Sequence, residues 1–380
     1  MVNPKNFKHL GTRMILIAML LLPLLAGFTT PARADDAGGA RRAVYTITNA
    51  ADGNEVVVFR RTNDGSLVPH ETVSTGGLGT GAGLGSQGAV ILNKNGRWLF
   101  AVNAGSNQIS VLRVRQNGLE LTDVVDSGGV RPISLTIHNR ILYVLNAGES
   151  GNISGFRLAQ DGTLETLDGS TQPLSNGGSG DAPQPAQISF SPNGNVLVVT
   201  EKMTNRIDVY EVKNKIAGAP VTHDSAGMTP FGFAFDKRKH LVVSEAFGGA
   251  PNASALSSYR VARNTFETRS ASVGTTQTAA CWVVISKNGK YAYTTNAGSG
   301  SISSYTINRD GMISLLEAQA GLTGDGSSPI DMALSKNGKY LYAAAAASSE
   351  ITIFMAQADG SLESRGAVSV PAGSLGLAAR

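Results

Sequence analysis

The six residues SKNGKY occur twice, at Ser286–Tyr291 and at Ser335–Tyr340, 49 residues apart. The first copy leads into YAYTTNAGSGSISSYTI and the second into YLYAAAAASSEITIFMA, and both runs are rich in strand-forming residues. Asn-Gly between such runs is a strong hairpin signal, because tight turns need residues that adopt positive φ. The duplication therefore predicts a repeated hairpin inside a longer repeating unit.

The longer unit contains four apolar or alternating runs, with an Asn-Gly turn after the first run and an Asp-Gly turn after the third. The residue that ends the second run recurs at about 50-residue spacing, at Asn49, Asn103, Asn146, Glu201, Glu245, Asn296 and Ala345. Helical periodicity is absent beyond the N-terminal segment. Seven units of four antiparallel strands predict an all-β fold, the seven-bladed β-propeller.

The two ends of the repeat predict how the ring closes. The first unit begins directly at its second strand, Ala43–Asn49, whereas the last unit is followed by a surplus strand-like segment, Ser374–Ala379. We expect this C-terminal strand to complete blade one, which leaves only short, protected sheet edges. The propeller is thus predicted over residues 43–380, after a short lead over residues 35–42.

Residues 1–34 are predicted to be a secretory signal peptide. A basic start is followed by the apolar run Met14–Leu25 and by an A-x-A cleavage site that ends at Ala34. No later stretch approaches the roughly 20 apolar residues of a transmembrane helix. We therefore expect the mature chain to be periplasmic or secreted, without a membrane span.

The excess of basic residues lies in that peptide. Four of the 32 Lys and Arg residues precede residue 35 and no acidic residue does, which leaves 28 basic and 28 acidic residues in the mature chain. A neutral balance gives no electrostatic footprint for nucleic acid or an anionic membrane. Cys281 is the only cysteine, which excludes an intramolecular disulfide. We expect a monomer.

The alternation of strand directions sorts the connections onto two faces. The Asn-Gly and Asp-Gly turns fall on one face, the hairpin face. The remaining connections fall on the opposite, loop-rich face, which receives the ends of the second strands and the long segments 76–85, 176–184 and 247–256. Functional residues are often carried by loops on a rigid scaffold, so function is expected on the loop-rich face. The glycine run 76–85 is expected to be a flexible loop.

The repeated text resembles the lactonase family of seven-bladed propellers, the group that contains 6-phosphogluconolactonase and the carboxymuconate lactonising enzymes. The matching text is an SPNG or SKNG turn, then LYV-x-N, then a strand of the type ISVLRV, then DG-x-LE. Propellers of the YVTN type look similar, as in LYVLNAGESGNISGF. The resemblance implies hydrolysis or closure of a sugar-derived or carboxylated lactone, and we expect no cofactor.

Units four and five depart from the repeat at the end of the second strand, where Glu201 and Glu245 replace asparagine. One interpretation is two solvated loop acids; the other is an acid–base or ligand-gripping pair at the channel mouth. The resemblance favours the second, because lactonising relatives use a Glu at a strand end of this kind. The residues that keep the asparagine are interpreted as strand-end caps and as further ligand contacts: Asn103, Asn146 and Asn296.

Lactone hydrolysis needs a base that activates water and a cation or donor for the developing oxyanion. Glu201 or Glu245 is the candidate general base. The candidate partners for the oxyanion, or for a substrate carboxylate or phosphate, are Lys202, Arg206 and Arg131, unless they are ordinary surface charges.

A second candidate set lies at the start of the innermost strands. Aligning the units brings Ala89, Ser134, Gln187, Gly232, Trp282 and Asp331 to one equivalent position. Three of these side chains are able to touch a ligand: Gln187, Trp282 and Asp331. Trp282 is equally interpretable as a core aromatic, and Cys281 beside it as a small buried hydrophobic residue.

The sequence departs from the family at one catalytic position. The family often has Pro-His at the start of the inner strand, but here the residues that follow Pro132, Pro185, Pro230 and Pro329 are Ile, Ala, Phe and Ile. The mature histidines lack metal-ligand spacing, so no metal site is expected. Two functions stay open: lactone hydrolysis or closure at the loop-rich face, and non-catalytic binding of a protein or cell-envelope ligand there.

Overall fold

The computed structural model describes residues 42–380. The predicted signal peptide, residues 1–34, lies outside the described residues, as does the lead except for Arg42. No helix in the part of the chain from residue 42 onward is both long and apolar enough to cross a membrane. The described residues form seven small sheets joined in sequence.

Each blade is an antiparallel sheet whose strands follow one another from the channel outward. Blade one contains β1 (Ala43–Ile47), β2 (Glu55–Arg61) and β3 (Leu67–Ser74). Blade two contains β4 (Val90–Leu92), β5 (Trp98–Asn103), β6 (Gln108–Val114) and β7 (Leu119–Asp126). Blade three contains β8 (Pro132–His138), β9 (Ile141–Asn146), β10 (Asn152–Leu158), β11 (Leu164–Thr166) and β12 (Gln172–Pro173). Blades four and five contain β13 (Pro185–Phe190), β14 (Val196–Glu201), β15 (Arg206–Lys213) and β16 (Ile216–Asp224); β17 (Pro230–Phe235), β18 (His240–Glu245), β19 (Ala255–Ala262) and β20 (Thr265–Gly274). Blades six and seven contain β21 (Ala280–Ile285), β22 (Tyr291–Asn296), β23 (Ser301–Ile307) and β24 (Ile313–Leu322); β25 (Pro329–Leu334), β26 (Tyr340–Ala345), β27 (Glu350–Ala356) and β28 (Leu362–Ser369).

The last strand, β29 (Leu375–Ala379), pairs with β1 and completes blade one. Tyr45 lies opposite Ala378 in this pairing, and the Thr46 hydroxyl donates to the carbonyl oxygen of Leu375 at 3.0 Å. The predicted seven-bladed propeller is confirmed. A single 3₁₀ turn, Phe247–Gly249, interrupts the connection between β18 and β19.

The SKNGKY repeat does more than reverse the chain, because its tyrosine packs against the next blade. The turn is closed by the Ser335 hydroxyl, which accepts the N–H of Tyr340 at 3.0 Å. The Tyr340 ring then covers Gly65 in the Asp-Gly turn of blade one, where an added Cβ would lie 2.3 Å from the ring. Gly65 has φ +93°, so both its conformation and its neighbour require glycine. The same packing recurs at Tyr291 on Gly360, Trp98 on Gly162 and His240 on Gly311.

The core lies between neighbouring blades, and the second strand of each blade faces both neighbours. In β14, Leu197 and Val199 belong to the cluster shared with blade three, whereas Val196 and Val198 pack with residues of blade five. Successive side chains of a strand point to opposite sides. Glu201 at the end of β14 therefore points toward blade three, in line with Leu197 and Val199.

Candidate functional site

The loop-rich end of the central channel is crossed by the segment Gly85–Gly88, which we call the plug. The Ser86 hydroxyl donates to the Ile133 carbonyl of blade three at 2.8 Å, and the Gln87 N–H donates to the Ala186 carbonyl of blade four at 3.2 Å. A segment that leaves blade one and reaches the innermost strands of both blades must lie across the channel axis.

The Gln87 side chain continues the crossing to blade six. Its amide Nε2 donates to the Val283 carbonyl at 2.9 Å, and its Oε1 accepts the Val283 N–H at 3.1 Å. An added Cβ on Gly232 of blade five would lie 2.4 Å from Gln87 Oε1, so this blade has glycine where the plug approaches. The Gln87 side chain thus makes two hydrogen bonds to the backbone of one residue, Val283, on the innermost strand of blade six.

The glycine run that leads into the plug makes several hydrogen bonds to blade one, which the sequence did not predict. The Asn49 side-chain amide donates to the Ala82 carbonyl at 2.7 Å, and its oxygen accepts the Thr80 N–H at 3.0 Å. The Gly79 N–H donates to the Ala50 carbonyl at 2.8 Å. A Cβ on Gly79 would lie 2.1 Å from the Asn49 carbonyl carbon, so glycine here serves a close approach of two backbones.

Lys202 lies at the channel mouth, directly against the plug. Its ammonium donates to the Gly85 carbonyl at 2.6 Å and stands 4.6 Å from the centre of the Phe231 ring, in cation–π geometry. Burial lowers the pKa of Lys202 to about 8, with a further lowering by the charge of Arg131. A lysine near its titration point in such a position is a candidate for chemistry.

Trp282 and Cys281 form the wall beside Lys202. The indole Nε1 donates to the Ser86 carbonyl at 2.9 Å, and the ring centre lies 5.0 Å from that of Phe231. Trp282 is 4% exposed and is therefore a core residue that holds the plug through its bond to Ser86. Cys281 is a free, buried thiol, and burial raises its pKa to about 12.

Arg131 and Arg206, the other predicted anion partners, are exposed. Arg131 directly precedes β8 with φ +58°, and its N–H donates to the Asn107 side chain at 2.8 Å. Its charge contributes to lowering the pKa of Lys202. Arg206 begins β15 opposite Glu201 in the strand register. Of the three predicted anion partners, only Lys202 donates a hydrogen bond to the plug among residues 42–380.

Glu201 is fully buried at the interface with blade three. Its carboxylate accepts the Ser175 N–H at 3.0 Å, the Ser175 hydroxyl at 2.5 Å and the Thr204 hydroxyl at 2.6 Å. Asp208 lies beside it, and burial, with the Glu201 charge second, raises the pKa of Asp208. Two neighbouring buried carboxyl groups disfavour two negative charges, so a proton is retained more readily here than on an exposed carboxylate.

Glu245 is buried in the same way at the interface with blade four. Its carboxylate accepts hydrogen bonds from the hydroxyls of Ser257 and, at 2.6 Å, Ser272. An added Cβ on Gly227 would lie 2.1 Å from the carboxylate, so the connection from blade four closes over it. Burial raises the pKa of Glu245.

The interpretation of Glu201 and Glu245 as solvated loop acids is wrong, because both are 0% exposed. The two carboxylates lie at different blade interfaces: Glu201 is hydrogen-bonded to Ser175 of blade three, whereas Glu245 is hydrogen-bonded to Ser257 and Ser272 of its own blade and is covered by Gly227. The asparagines at the equivalent position are equally buried: Asn103, Asn146 and Asn296. Asn103, for example, accepts hydrogen bonds from Asn54 and Thr75 of blade one. This placement favours a clamp between blades over an exposed acid–base pair.

Gln187 and Asp331 join adjacent blades at the inner strands. Gln187 pairs with the backbone of Phe233 in blade five, at 3.0 Å through Nε2 and 2.7 Å through Oε1. Asp331 accepts the N–H groups of Met332 at 2.7 Å and of Leu377 in β29 at 3.1 Å, where the ring closes. Burial raises the pKa of Asp331 to about 8.

A channel cavity of ≈ 260 Å³ lies next to these residues, and Gln87, Gln187 and Asp331 are part of its lining. The lining runs toward the hairpin face, where Leu92, Ile137 and Ser189 are partly exposed. The channel is therefore closed at the loop-rich end and accessible from the hairpin face. No described histidine is part of its lining, and residues 42–380 contain no group of three His, Cys, Asp or Glu side chains that could hold a metal ion.

Sequence reasoning missed the plug and Phe231. The only local signal was a run of glycines, and such a run occurs both in tightly packed backbone segments and in mobile loops. Contacts such as Gln87 to Val283 join residues 196 positions apart, and no short motif marks them.

The comparisons with known proteins agree with this architecture. The profile described as Lactonase, 7-bladed beta-propeller matches residues 40–173 and 245–378. No curated protein sequence matches the chain.

Several solved structures share the fold. A protein of Bacteroides uniformis provisionally named a 6-phosphogluconolactonase is 21% identical, with a TM-score of 0.68 over 88% of this chain and 98% of that one. Its counterpart from Bacteroides fragilis is 20% identical, with a TM-score of 0.67 over 92% and 99%. The periplasmic gluconolactonase PpgL of Pseudomonas aeruginosa is 16% identical, with a TM-score of 0.65 over 88% and 98%. These likenesses concern the fold. Because the family profile covers most of the propeller, the chain belongs to the lactonase family of seven-bladed β-propellers.

Proposed function

We propose that this propeller hydrolyses a sugar-derived or carboxylated lactone at its loop-rich face, with Lys202 as the cation that stabilises the transition state. The observation that carries the proposal is the Lys202 ammonium, held between the plug carbonyl of Gly85 and the Phe231 ring in a member of the lactonase family. The similar structures named as lactonases support the choice of reaction class.

In this reaction water adds to the lactone carbonyl carbon and negative charge develops on the carbonyl oxygen. An ammonium has three N–H donors, and Gly85 occupies one, so Lys202 retains donors for that oxygen. The ring C–O bond then breaks, and the ring oxygen takes the proton that water has lost. In this proposal Arg131, whose side chain is exposed, binds a carboxylate or phosphate on the substrate. Glu201 and Glu245 support the mouth without contacting the substrate.

The test is turnover of a lactone panel that includes gluconolactone, 6-phosphogluconolactone and muconolactone. Lys202→Gln should reduce kcat/KM about 100-fold, the size expected when one oxyanion donor is lost. The matched control is Lys336→Gln, which removes an exposed lysine on the opposite face and should change nothing. Equal activities of the two variants would overturn the role of Lys202.

The pH profile gives a second readout. Lys202 acts as an ammonium, and its pKa is lowered to about 8, so enzymatic turnover should fall as pH rises through 8. Spontaneous lactone hydrolysis by hydroxide increases over the same range and is subtracted as a blank. Turnover that rises through pH 8 would indicate instead that neutral Lys202 is a base.

A second candidate function is non-catalytic binding of a protein or cell-envelope ligand on the same face. Two observations favour it: the plug closes this end of the channel, and the carboxylates expected to serve as base are buried. Absence of turnover across the whole panel, from folded protein, would support this alternative and contradict the first.

We also propose that the protein is exported and that the propeller is released by cleavage after Ala34. The motif from Met14 to Ala34 supports this. N-terminal sequencing of protein recovered from the periplasm or medium of an expressing bacterium should begin at Asp35. Recovery of the intact N-terminus in the cytoplasmic fraction would refute export.

A further inference from the structure

The two SKNGKY copies lie side by side on the hairpin face and enclose a cleft between blades six and seven. The cavity measures ≈ 490 Å³, within the range of small-molecule sites. An added Cβ on Gly338 of the second copy would lie 2.9 Å from Cβ of Lys287 in the first, so the two turns touch. We call this cavity the SKNGKY cleft.

Tyr293 lines the SKNGKY cleft and differs from its equivalents in other blades. It is the third residue of β22, as Tyr143 is of β9 and Tyr342 is of β26. The Tyr143 hydroxyl accepts the Ala217 N–H of the next blade at 2.8 Å, and the Tyr342 hydroxyl donates to Gly65 of the next blade at 2.9 Å. The Tyr293 hydroxyl is buried and has no hydrogen-bond partner among residues 42–380.

A buried hydroxyl without a partner is unfavourable by roughly 1–3 kcal/mol unless something else completes its hydrogen bond. By analogy with Tyr342, the Tyr293 hydroxyl would be expected to hydrogen-bond to the Asp-Gly turn of blade seven. Gln357 and Ala358 of that turn line the cleft. The Tyr291 ring already covers Gly360 of the same turn. Blades six and seven therefore keep the packing of Tyr291 on Gly360 but lack the hydrogen bond from the Tyr293 hydroxyl to the neighbouring blade.

The charged side chains in the lining of the cleft are two lysines, Lys287 and Lys339. Two carboxylates outside the lining oppose them, since burial and then neighbouring charges, including those of Asp359 and Glu317, raise the pKa of Tyr293 to about 12. The Lys339 ammonium stands 5.3 Å from the centre of the Tyr340 ring and is exposed, so it can turn toward a bound anion. Tyr291 adds an aromatic wall. This combination suits an oxyanion carried on a body of monosaccharide size.

We propose that the SKNGKY cleft binds a small polyhydroxylated oxyanion, a carboxylate or a phosphate ester, with the Tyr293 hydroxyl donating to it and Lys287 and Lys339 balancing its charge. The site lies on the face opposite the proposed lactonase chemistry and is independent of it. The cleft between blades three and four, where Tyr143 is paired, is the internal comparison.

The test is calorimetric titration of the mature protein with D-gluconate, glucose 6-phosphate and, as the neutral control, glucose. At least one anion should bind with about 10-fold or greater preference over glucose. Tyr293→Phe should weaken that binding about 10-fold, as expected for a hydrogen bond to a charged group. Lys287→Gln combined with Lys339→Gln should weaken it by at least as much, whereas the exposed control Lys336→Gln should not.

Stability provides the matched control. Tyr293→Phe removes a buried hydroxyl that has no partner among residues 42–380 and should raise the unfolding midpoint of the ligand-free protein, whereas Tyr342→Phe breaks the bond to Gly65 and should lower the midpoint without affecting binding. Lactone turnover should be the same in wild type and Tyr293→Phe. Failure of both anions to bind, equal binding of glucose, or full affinity in Tyr293→Phe would overturn the proposal.

Discussion

The two ends of the channel are built by different means. At the hairpin face four of the seven blades repeat one device, an aromatic side chain set on a glycine in the outer turn of the next blade. At the loop-rich end the ring is held by unlike contacts: the plug, two buried glutamates and several buried asparagines. The repeat thus dictates one end, and departures from the repeat close the other. Four measurements address this difference, from the largest expected effect to the smallest.

The plug is the strongest test of the loop-rich end. Gln87→Ala would leave the buried N–H and C=O of Val283 unpaired, and we expect a loss of about 3 kcal/mol in the free energy of unfolding. Urea denaturation measures this, with the exposed Gln116→Ala as control. A change within about 0.5 kcal/mol, the scatter of ordinary surface substitutions, would show that the plug does not hold the ring.

The hairpin face is tested by two glycines of blade seven. Gly360 and Gly366 have φ of +93° and +91°, but only Gly360 is covered by a neighbouring ring, that of Tyr291. Both alanine variants acquire the same backbone strain, and Gly360→Ala should lose about 2 kcal/mol more through overpacking. Equal unfolding midpoints for the two variants would mean that the aromatic packing contributes nothing.

The glutamates distinguish a clamp from a catalytic pair. Glu201→Gln and Glu245→Gln should each reduce the free energy of unfolding by about 1–2 kcal/mol, because the hydroxyl and N–H donors around each carboxylate lose a charged acceptor. Turnover of any lactone substrate should stay near the wild-type rate. Wild-type stability with lost turnover would restore the interpretation of a general base.

Asp331 should make stability depend on pH at the seam where the ring closes. Burial raises its pKa in the folded protein to about 8, against roughly 3.9 in an unfolded chain. The folded form retains a proton that the unfolded form has lost, so stability should fall as pH rises from about 4 to about 8. Asp331→Asn should reduce this slope in thermal melts at pH 5, 7 and 9. Part of the slope remains, because Asp208 titrates in the same direction. An unchanged slope would exclude Asp331 as its source.

The fold could be predicted because its signals are local and repeated. Asn-Gly and Asp-Gly turns at regular spacing mark hairpins, and the missing first strand of blade one indicates the partner of the C-terminal segment. The same regularity identified the positions of Glu201 and Gln187. It could not give their orientation, which depends on strand alternation and on partners such as Ser175 that belong to the neighbouring blade.

The candidate site was less accessible to sequence reasoning for a related physical reason. Lys202 is informative only because Phe231 and the plug surround it, and the plug comes from a segment more than 100 residues earlier in the chain. Glycine-rich text is compatible with both a docked backbone and a free one. Only the contacts across the channel decide between them.

Ring closure has a consequence for the order of events during synthesis. The Thr46 hydroxyl and the carbonyl of Leu375 are 329 residues apart, yet they lie on neighbouring strands of one sheet. While the ribosome makes blades two to seven, β1 has no inner neighbour and presents an unpaired edge. The nascent chain must therefore keep that edge from pairing elsewhere until the last strand is made, and a protein that crosses a membrane unfolded would face the same delay a second time.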